Sequence, residues 1–167
     1  MIQRFKEYCF KYKDDLKAFL EMELEKVKYF RDLSMITKQE LIYNMERRTY
    51  NQGDHIYSVG ESIMCMIVIQ SGVVQLSTLY DKRKDGADFI VERLTAGAIL
   101  NHNAFMVKDI ADTDYVCRTP VSCFALTYDK MKQVMLRRAD LQQANKEVKR
   151  DVFMPKYNIA LDYIFHN

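Results

Sequence analysis

The residues able to do chemistry are few, and their spacing does not assemble a reactive centre. Cysteines stand at positions 9, 65, 117 and 123, and histidines at 55, 102 and 166. No two of the cysteines form a Cys-x-x-Cys pair, and the histidines have no ligand-like spacing to them, so a zinc site is not indicated. Three of the cysteines lie among apolar or β-branched neighbours, as reduced and buried thiols of an intracellular protein do. Whether Cys117 and Cys123 face each other across strands is left open. His55 follows Gly53 in a turn and reads as a surface side chain. No Ser/His/Asp set, metal cluster or phosphate-cradling P-loop stands out. The expectation is a protein that is not an enzyme and carries no cofactor.

The elements that must position these residues are marked by glycine. Gly53, Gly60, Gly72, Gly86 and Gly97 all fall in the middle of the chain. A strand-rich centre with tight turns, flanked by helices, is the expected arrangement. From Ile2 to Tyr29, Phe5, Cys9, Tyr12, Leu16, Phe19, Leu20, Met22 and Val27 recur at spacings of three and four, which predicts an amphipathic helix with room for one break at Asp14–Asp15. Ser34 or Thr37 can cap the next helix, with Glu40 as the capping-box partner of Thr37 and Leu41, Ile42 and Met45 facing inward.

The period then changes. Thr49 to Tyr57 reads as strand, turn, strand. Met64 to Gln70 is an apolar strand ended by Ser71-Gly72, and Val73 to Tyr80 is the next. A polar hairpin loop follows from Asp81 to Asp88, then a strand from Phe89 to Leu94. Tyr115 to Leu126, with Pro120 inside it, predicts two short strands or one bent edge strand. This spacing favours a barrel or roll over a parallel sheet. Val68, Ile69, Val74, Leu76, Ile90, Val91, Leu94 and Phe124 are the expected core. After Thr127, which can cap through Lys130, Tyr128, Met131, Val134 and Met135 form a helix face. A helix continues from Leu141 to Phe153, Pro155 ends it or starts another, and Tyr157 to Phe165 can form a last one.

The bulk properties exclude several classes. With 167 residues, 49% hydrophobic and 29% charged, the chain suits one globular domain with a helical extension rather than disorder. A net charge of +2 does not suggest a nucleic-acid partner. No apolar run approaches the roughly 20 residues of a membrane span, and no secretory leader is visible. A cytoplasmic module is expected, and the cytosolic part of a membrane protein would read the same. The stretch from Lys130 to Lys156 is basic, with eight Lys or Arg against Asp140, Glu147 and Asp151.

Within this frame, Gly53-Asp54-His55-Ile56-Tyr57-Ser58-Val59-Gly60-Glu61 resembles the Gly-Asp-x-Ile-aromatic-x-x-Gly-acid signature of cyclic-nucleotide-binding domains. Met66 to Val74, with its Ser71-Gly72 turn, is similar to the strand–Ser-Gly–strand element that follows in that family. Val27 to Ser34 is similar to its helix entry, where an aromatic precedes an Asx-Leu-Ser turn. The resemblance covers about Val27 to Asp140. It implies an α+β fold, an antiparallel, jelly-roll-like β-roll flanked by N- and C-terminal helices. On that reading 1–30 is a helical lead, 31–140 the roll with its flanking helices, and 141–167 a helical extension.

The resemblance also implies a phosphate-binding cassette, in which Phe-Gly-Glu and small apolar residues precede an arginine about ten residues on. Anchored on Gly97, this chain reads Gly97-Ala98-Ile99-Leu100-Asn101-His102-Asn103-Ala104-Phe105. Leu100 falls on the aromatic, Asn101 on the glycine and His102 on the glutamate. The arginine falls within Ile110-Ala111-Asp112-Thr113-Asp114, which holds no cation, and Arg118 is too far along to align. The expected site is therefore a degenerate cassette of Gly97, Ile99, Leu100, Asn101, His102, Asn103 and Ala104. Asn101 tolerates left-handed geometry, while Asp109, Asp112 and Asp114 bring negative charge to where an anion would lie.

Three readings follow. The first is a regulatory module of a cation channel (a potassium channel among them) or an exchanger, with little or no cyclic-nucleotide binding and a helical lead suited to homo-oligomerisation. The second is a genuine sensor of a cyclic nucleotide or nucleoside. The third is a structural docking subunit whose partners lie in a large assembly. A transcription factor built on the same roll would need a helix-turn-helix, for which the residues after Phe153 are too few.

Overall fold

A computed structural model describes the backbone of residues 15–79 and 88–166; the side chains of 78, 79, 88–91, 155–163, 165 and 166 are outside the description. The chain enters as a helix over residues 15–24 (α1), followed by α2 (Lys28–Arg31) and α3 (Met35–Tyr43). Among the described residues eight strands follow: β1 (Glu46–Tyr50), β2 (His55–Tyr57), β3 (Cys65–Ser71), β4 (Val74–Leu79), β5 (Asp88–Leu94), β6 (Ile99–Leu100), β7 (Asp114–Cys117) and β8 (Val121–Thr127). They form two four-stranded sheets, ordered β1-β8-β3-β6 and β2-β7-β4-β5, with every pairing antiparallel. This is the expected antiparallel roll between flanking helices, closed by α4 (Tyr128–Met135) and α5 (Ala139–His166).

The register explains the burial. β3 is central in its sheet, paired to β8 on one side and β6 on the other. Its residues Cys65 to Ile69 are all buried. A strand covered on both faces reads as a continuous apolar run rather than an alternation, which is why the sequence marks it so clearly. Val68, Ile69, Val74 and Phe124 lie in the core, and Leu76 and Leu94 pack partly buried against it. Ile90 and Val91 belong to the side chains outside the description. Leu20, Leu24, Val27 and Phe30 join the same buried cluster, so the entering helices pack on the roll.

Gly72 shows how tight the strand turn is. Its φ is +99°, and a Cβ there would stand 2.4 Å from the Pro120 carbonyl oxygen. Only glycine meets both demands.

Several local expectations are corrected. The described part of the entering helix breaks at residues 25–27; the expected break at Asp14–Asp15, like Phe5, Cys9 and Tyr12, lies at or beyond the edge of the described residues. At the break, Lys26 and Val27 donate to carbonyls three residues back, and Val27 is extended. Ser34, not Thr37, is the N-cap of α3, its hydroxyl accepting the Thr37 amide at 3.3 Å. Glu40 does not close a capping box. Its carboxylate accepts from Arg137 (Nε at 2.9 Å) and Arg138 (Nε at 2.7 Å) at the bend between α4 and α5. Two charge-assisted donors outcompete one local amide.

Thr127 caps α4 through the Lys130 amide as expected. α5 then runs unbroken through Pro155, so that proline neither ends it nor starts a new helix; one missing N–H removes a single rung of the helical ladder. Cys117 and Cys123 sit in different sheets, paired with Val74 and Ile69 respectively, so they are not cross-strand partners. Both are free, buried thiols, and burial pushes each up to about 11. The loop expected at Asp81–Asp88 falls almost entirely among the undescribed residues.

Candidate functional site

The segment from Gly97 to Met106 is held from three sides. At its start, the Gly97 amide donates to the Ile69 carbonyl at 2.8 Å, and the Ile69 amide returns a bond to Ala98 at 2.9 Å. β6 then pairs Ile99 and Leu100 with Val68 and Ile67. At its end, a 3-10 turn over Ala104–Met106 buries Phe105 and Met106 completely. Between these anchors Asn101 adopts φ +62°, the left-handed conformation that Asn and Gly take most readily. The turn at this position is thus made by a residue that reaches left-handed backbone without being glycine.

Neighbouring side chains fix this turn. The Tyr115 hydroxyl donates to Asn101 Oδ1 at 2.8 Å. Asn101 Nδ2 is buried and has no partner among the described residues. From outside the roll, the Tyr29 hydroxyl donates to the His102 carbonyl at 2.8 Å; burial pushes the Tyr29 phenol well above its ordinary range, so it stays a donor. Lys26 Nζ donates to the Gly97 carbonyl at 3.3 Å and pairs with the Glu23 carboxylate. A Cβ on Gly97 (φ +86°) would lie 3.0 Å from that carboxylate, so the entering helix sits directly against the segment.

Ile99, Leu100, Asn101, His102, Asn103 and Ala104 line one cavity of about 290 Å³. Its other wall comes from the second sheet: Leu76 is paired with Glu92 on one side and Tyr115 on the other, so all three present the same face to the segment. Gly97 is not part of this lining. It borders a neighbouring groove with Lys26, Arg93 and His102. Burial lowers the His102 imidazole from its ordinary value, which keeps the ring neutral near pH 7.

Negative charge does reach the cavity: burial, and with it the Asp112 and Glu92 carboxylates, raises the Tyr115 phenol of the lining. None of Asp109, Asp112 and Asp114 lines the cavity. Asp114 accepts the Val59 amide and Asp109 the Ile110 amide. The acid at the cavity is Glu92, which sequence reasoning missed, along with Tyr115, Leu76 and Tyr29. Arg118 lies in the turn beside Val73, away from the lining. Among the described residues no Lys or Arg lines the cavity, and no cluster of His, Cys, Asp and Glu could hold a metal ion. No described helix is long and apolar enough to cross a membrane. The cleft is one of hydrogen-bonding amides, a neutral imidazole, a phenol and one carboxylate.

Comparison with known proteins identifies the fold. A family model described as the cyclic nucleotide-binding domain matches residues 47–138, more than half of the chain. Comparison with curated protein sequences returned no match. Among solved structures, the N-terminal domain of a transcriptional regulator from Streptomyces coelicolor A3(2) aligns with a TM-score of 0.67 at 16% identity, over 82% of this chain and 93% of that one. A cAMP-bound PfPKA-R (141–441) aligns with a TM-score of 0.64 at 15% identity, over 72% of this chain and 42% of that one. The catabolite activator protein of Thermus thermophilus gives 0.56 at 18% identity, over 81% and 62%. The chain thus spans less than two thirds of the last two. At these identities the likeness is one of fold.

Proposed function

The chain belongs to the cyclic nucleotide-binding domain family, and from that membership we propose a non-catalytic regulatory module whose cassette pocket does not take cyclic AMP or cyclic GMP in the family's way. The observation that carries this reading is that, among the described residues, no Lys or Arg lines the cavity formed by Ile99 to Ala104, while Glu92 does. A cyclic phosphate is an anion, and burying it without an ion pair leaves its desolvation uncompensated. The neutral His102 supplies no charge, and the Glu92 carboxylate opposes the ligand. Gly97 and Ile99 to Ala104 remain the residues that would touch whatever does bind.

A cation channel or exchanger is the parent protein this reading favours. The support is the helical lead, which packs on the roll through Leu20, Leu24 and Val27 and would carry movement between a pore and the cassette. Residues 1–30 then act as that lead and a surface for self-association, 31–140 as the regulatory roll, and 141–167 as the extension. A pore or transporter segment in the same polypeptide tests the assignment.

A second reading, a genuine nucleotide sensor, is favoured by one feature. Arg93 and Lys26 line the groove beside Gly97 and His102, close enough in the fold to serve a phosphate by another route. The PfPKA-R to which the chain is similar is cAMP-bound. Calorimetry of the unmodified protein with cyclic AMP and cyclic GMP decides between them. The regulatory reading expects no dissociation constant at or below about 10 μM, roughly 7 kcal/mol of binding. A tighter constant, abolished by Arg93→Ala, establishes the sensor.

A further inference from the structure

A second cavity, of about 340 Å³, opens where β1, β2 and β3 meet the start of α4, and it shares no lining residue with the cassette cavity. Its lining includes Arg48, whose guanidinium is bonded to the Glu46 carboxylate, to the Tyr50 side chain and, weakly, to the Cys65 sulfur. Arg48 Nη1 donates to the Cys65 sulfur at 3.5 Å, and Nη2 to Glu46 Oε1 at 2.5 Å. A thiol is a weak acceptor for a guanidinium. The Glu46 side chain is 54% exposed, and exposed pairs of this kind contribute little. A carboxylate reaching Arg48 would replace the sulfur with a charge-assisted bond.

The surroundings favour a ring attached to that carboxylate. Ile56, Tyr57, Ile67 and Tyr128 supply apolar and aromatic wall. Lys108 holds its ammonium 4.4 Å from the centre of the Tyr128 ring and does so from a left-handed backbone (φ +52°), which few non-glycine residues adopt. Among the described lining residues the acid is Asp129, an exposed residue in the first turn of α4, where the helix dipole accounts for it. The volume lies in the range of small-molecule sites, roughly 300–1,000 Å³.

We propose that this cavity binds a small aromatic carboxylate, with Arg48 holding the carboxylate and the tyrosine-lined wall holding the ring. The proposal goes beyond the reading of the cassette and does not depend on it. Occupancy would reach the cassette through Tyr57. Its ring meets Tyr115 edge-on, with centroids 5.7 Å apart and planes at 86°, and the Tyr115 hydroxyl holds Asn101.

The test is a titration of isotopically labelled protein with benzoate, followed by two-dimensional NMR. Saturable shifts are expected at the amides of Cys65, Thr127 and Tyr128, extending to Asn101. Arg48→Gln should weaken binding at least about tenfold. Ser62→Trp, an exposed change at the cavity mouth, should block binding while amide dispersion elsewhere shows the fold intact. The proposal is overturned by no saturable shift up to about 10 mM, by unchanged affinity in both variants, or by equal binding of benzylamine. Shifts that stop short of Tyr115 and Asn101 overturn the coupling to the cassette.

Discussion

The Asp140 carboxylate accepts the backbone amide of Ser34 at 3.0 Å, tying the start of the last helix to the N-cap of α3 across 106 positions of sequence. The same carboxylate takes the Thr37 hydroxyl at 2.9 Å, and one helix turn further along α3 Glu40 takes Arg137 and Arg138. These two hubs join the entering helices to the bend between α4 and α5. Any movement of the C-terminal helix has to break them or carry α3 along.

Stability should therefore fall as these carboxylates protonate. The hydrogen bonds from Arg137 and then Arg138 hold Glu40 below the ordinary carboxylate range. For Asp140, burial works against ionisation, but the Ser34, Thr37 and Leu141 donors outweigh it, and its carboxyl is also lowered. With folded values below unfolded ones, the stabilisation is complete above the unfolded values, about pH 4–4.5, and is lost as pH falls through the folded ones. Melting temperatures of the parent, Glu40→Gln and Asp140→Asn should differ at pH 6–7 and converge towards pH 3. A constant gap across that range would show that charge is not what the hubs contribute.

At the strand turn, Gly72→Ala should destabilise by more than the roughly 1–3 kcal/mol of backbone strain, because the new Cβ also meets the Pro120 carbonyl at 2.4 Å. Gly53→Ala has the strain without the clash, since nothing lies within 4 Å of its Cβ position. Denaturant unfolding of both variants should rank them in that order. Equal losses would mean that the turn shifts to accommodate the methyl.

In the core, Ile69→Ala and Phe124→Ala should each cost about 2–5 kcal/mol. Both side chains are buried, on paired strands of the first sheet. Variants that melt within a degree of the parent would remove these residues from the core.

What the sequence made legible was what local chemistry dictates. Gly53, Gly60, Gly72 and Gly97 all take positive φ, and their positions alone located the turns. β3 announced itself through an apolar run, Thr127 through its capping chemistry, and Ser34 as one of two candidate caps beside Thr37. Asn101 was readable as a residue able to make a left-handed turn. Its surroundings were not readable. Glu92 and Tyr115 reach the cavity only through the register of β5 and β7 on Leu76, and Tyr29 reaches His102 across 73 positions. Glu40 was misread for the same reason: a local partner was visible in the sequence, while Arg137 and Arg138 were 97 and 98 residues away.

The cassette itself gives the last prediction. If the missing cation and the Glu92 carboxylate are what exclude a cyclic phosphate, restoring the family pattern should admit it. The combined variant Asn101→Gly, His102→Glu and Asp112→Arg supplies the turn glycine, the ribose acceptor and the counter-ion. Asp112 is the better place for the arginine, because it is exposed while Ala111 is buried and its amide is bonded to Glu61. Adding Glu92→Gln removes the opposing charge without changing shape. Cyclic AMP binding, measured by a fluorescent analogue, should appear in the triple variant and tighten in the quadruple one, by roughly tenfold for each 1.4 kcal/mol of repulsion removed. Binding that appears with Glu92→Gln alone would place the whole obstacle at that carboxylate. Binding in none of the variants, with the fold intact, would mean that the shape of the 97–106 segment excludes the ligand rather than its charge.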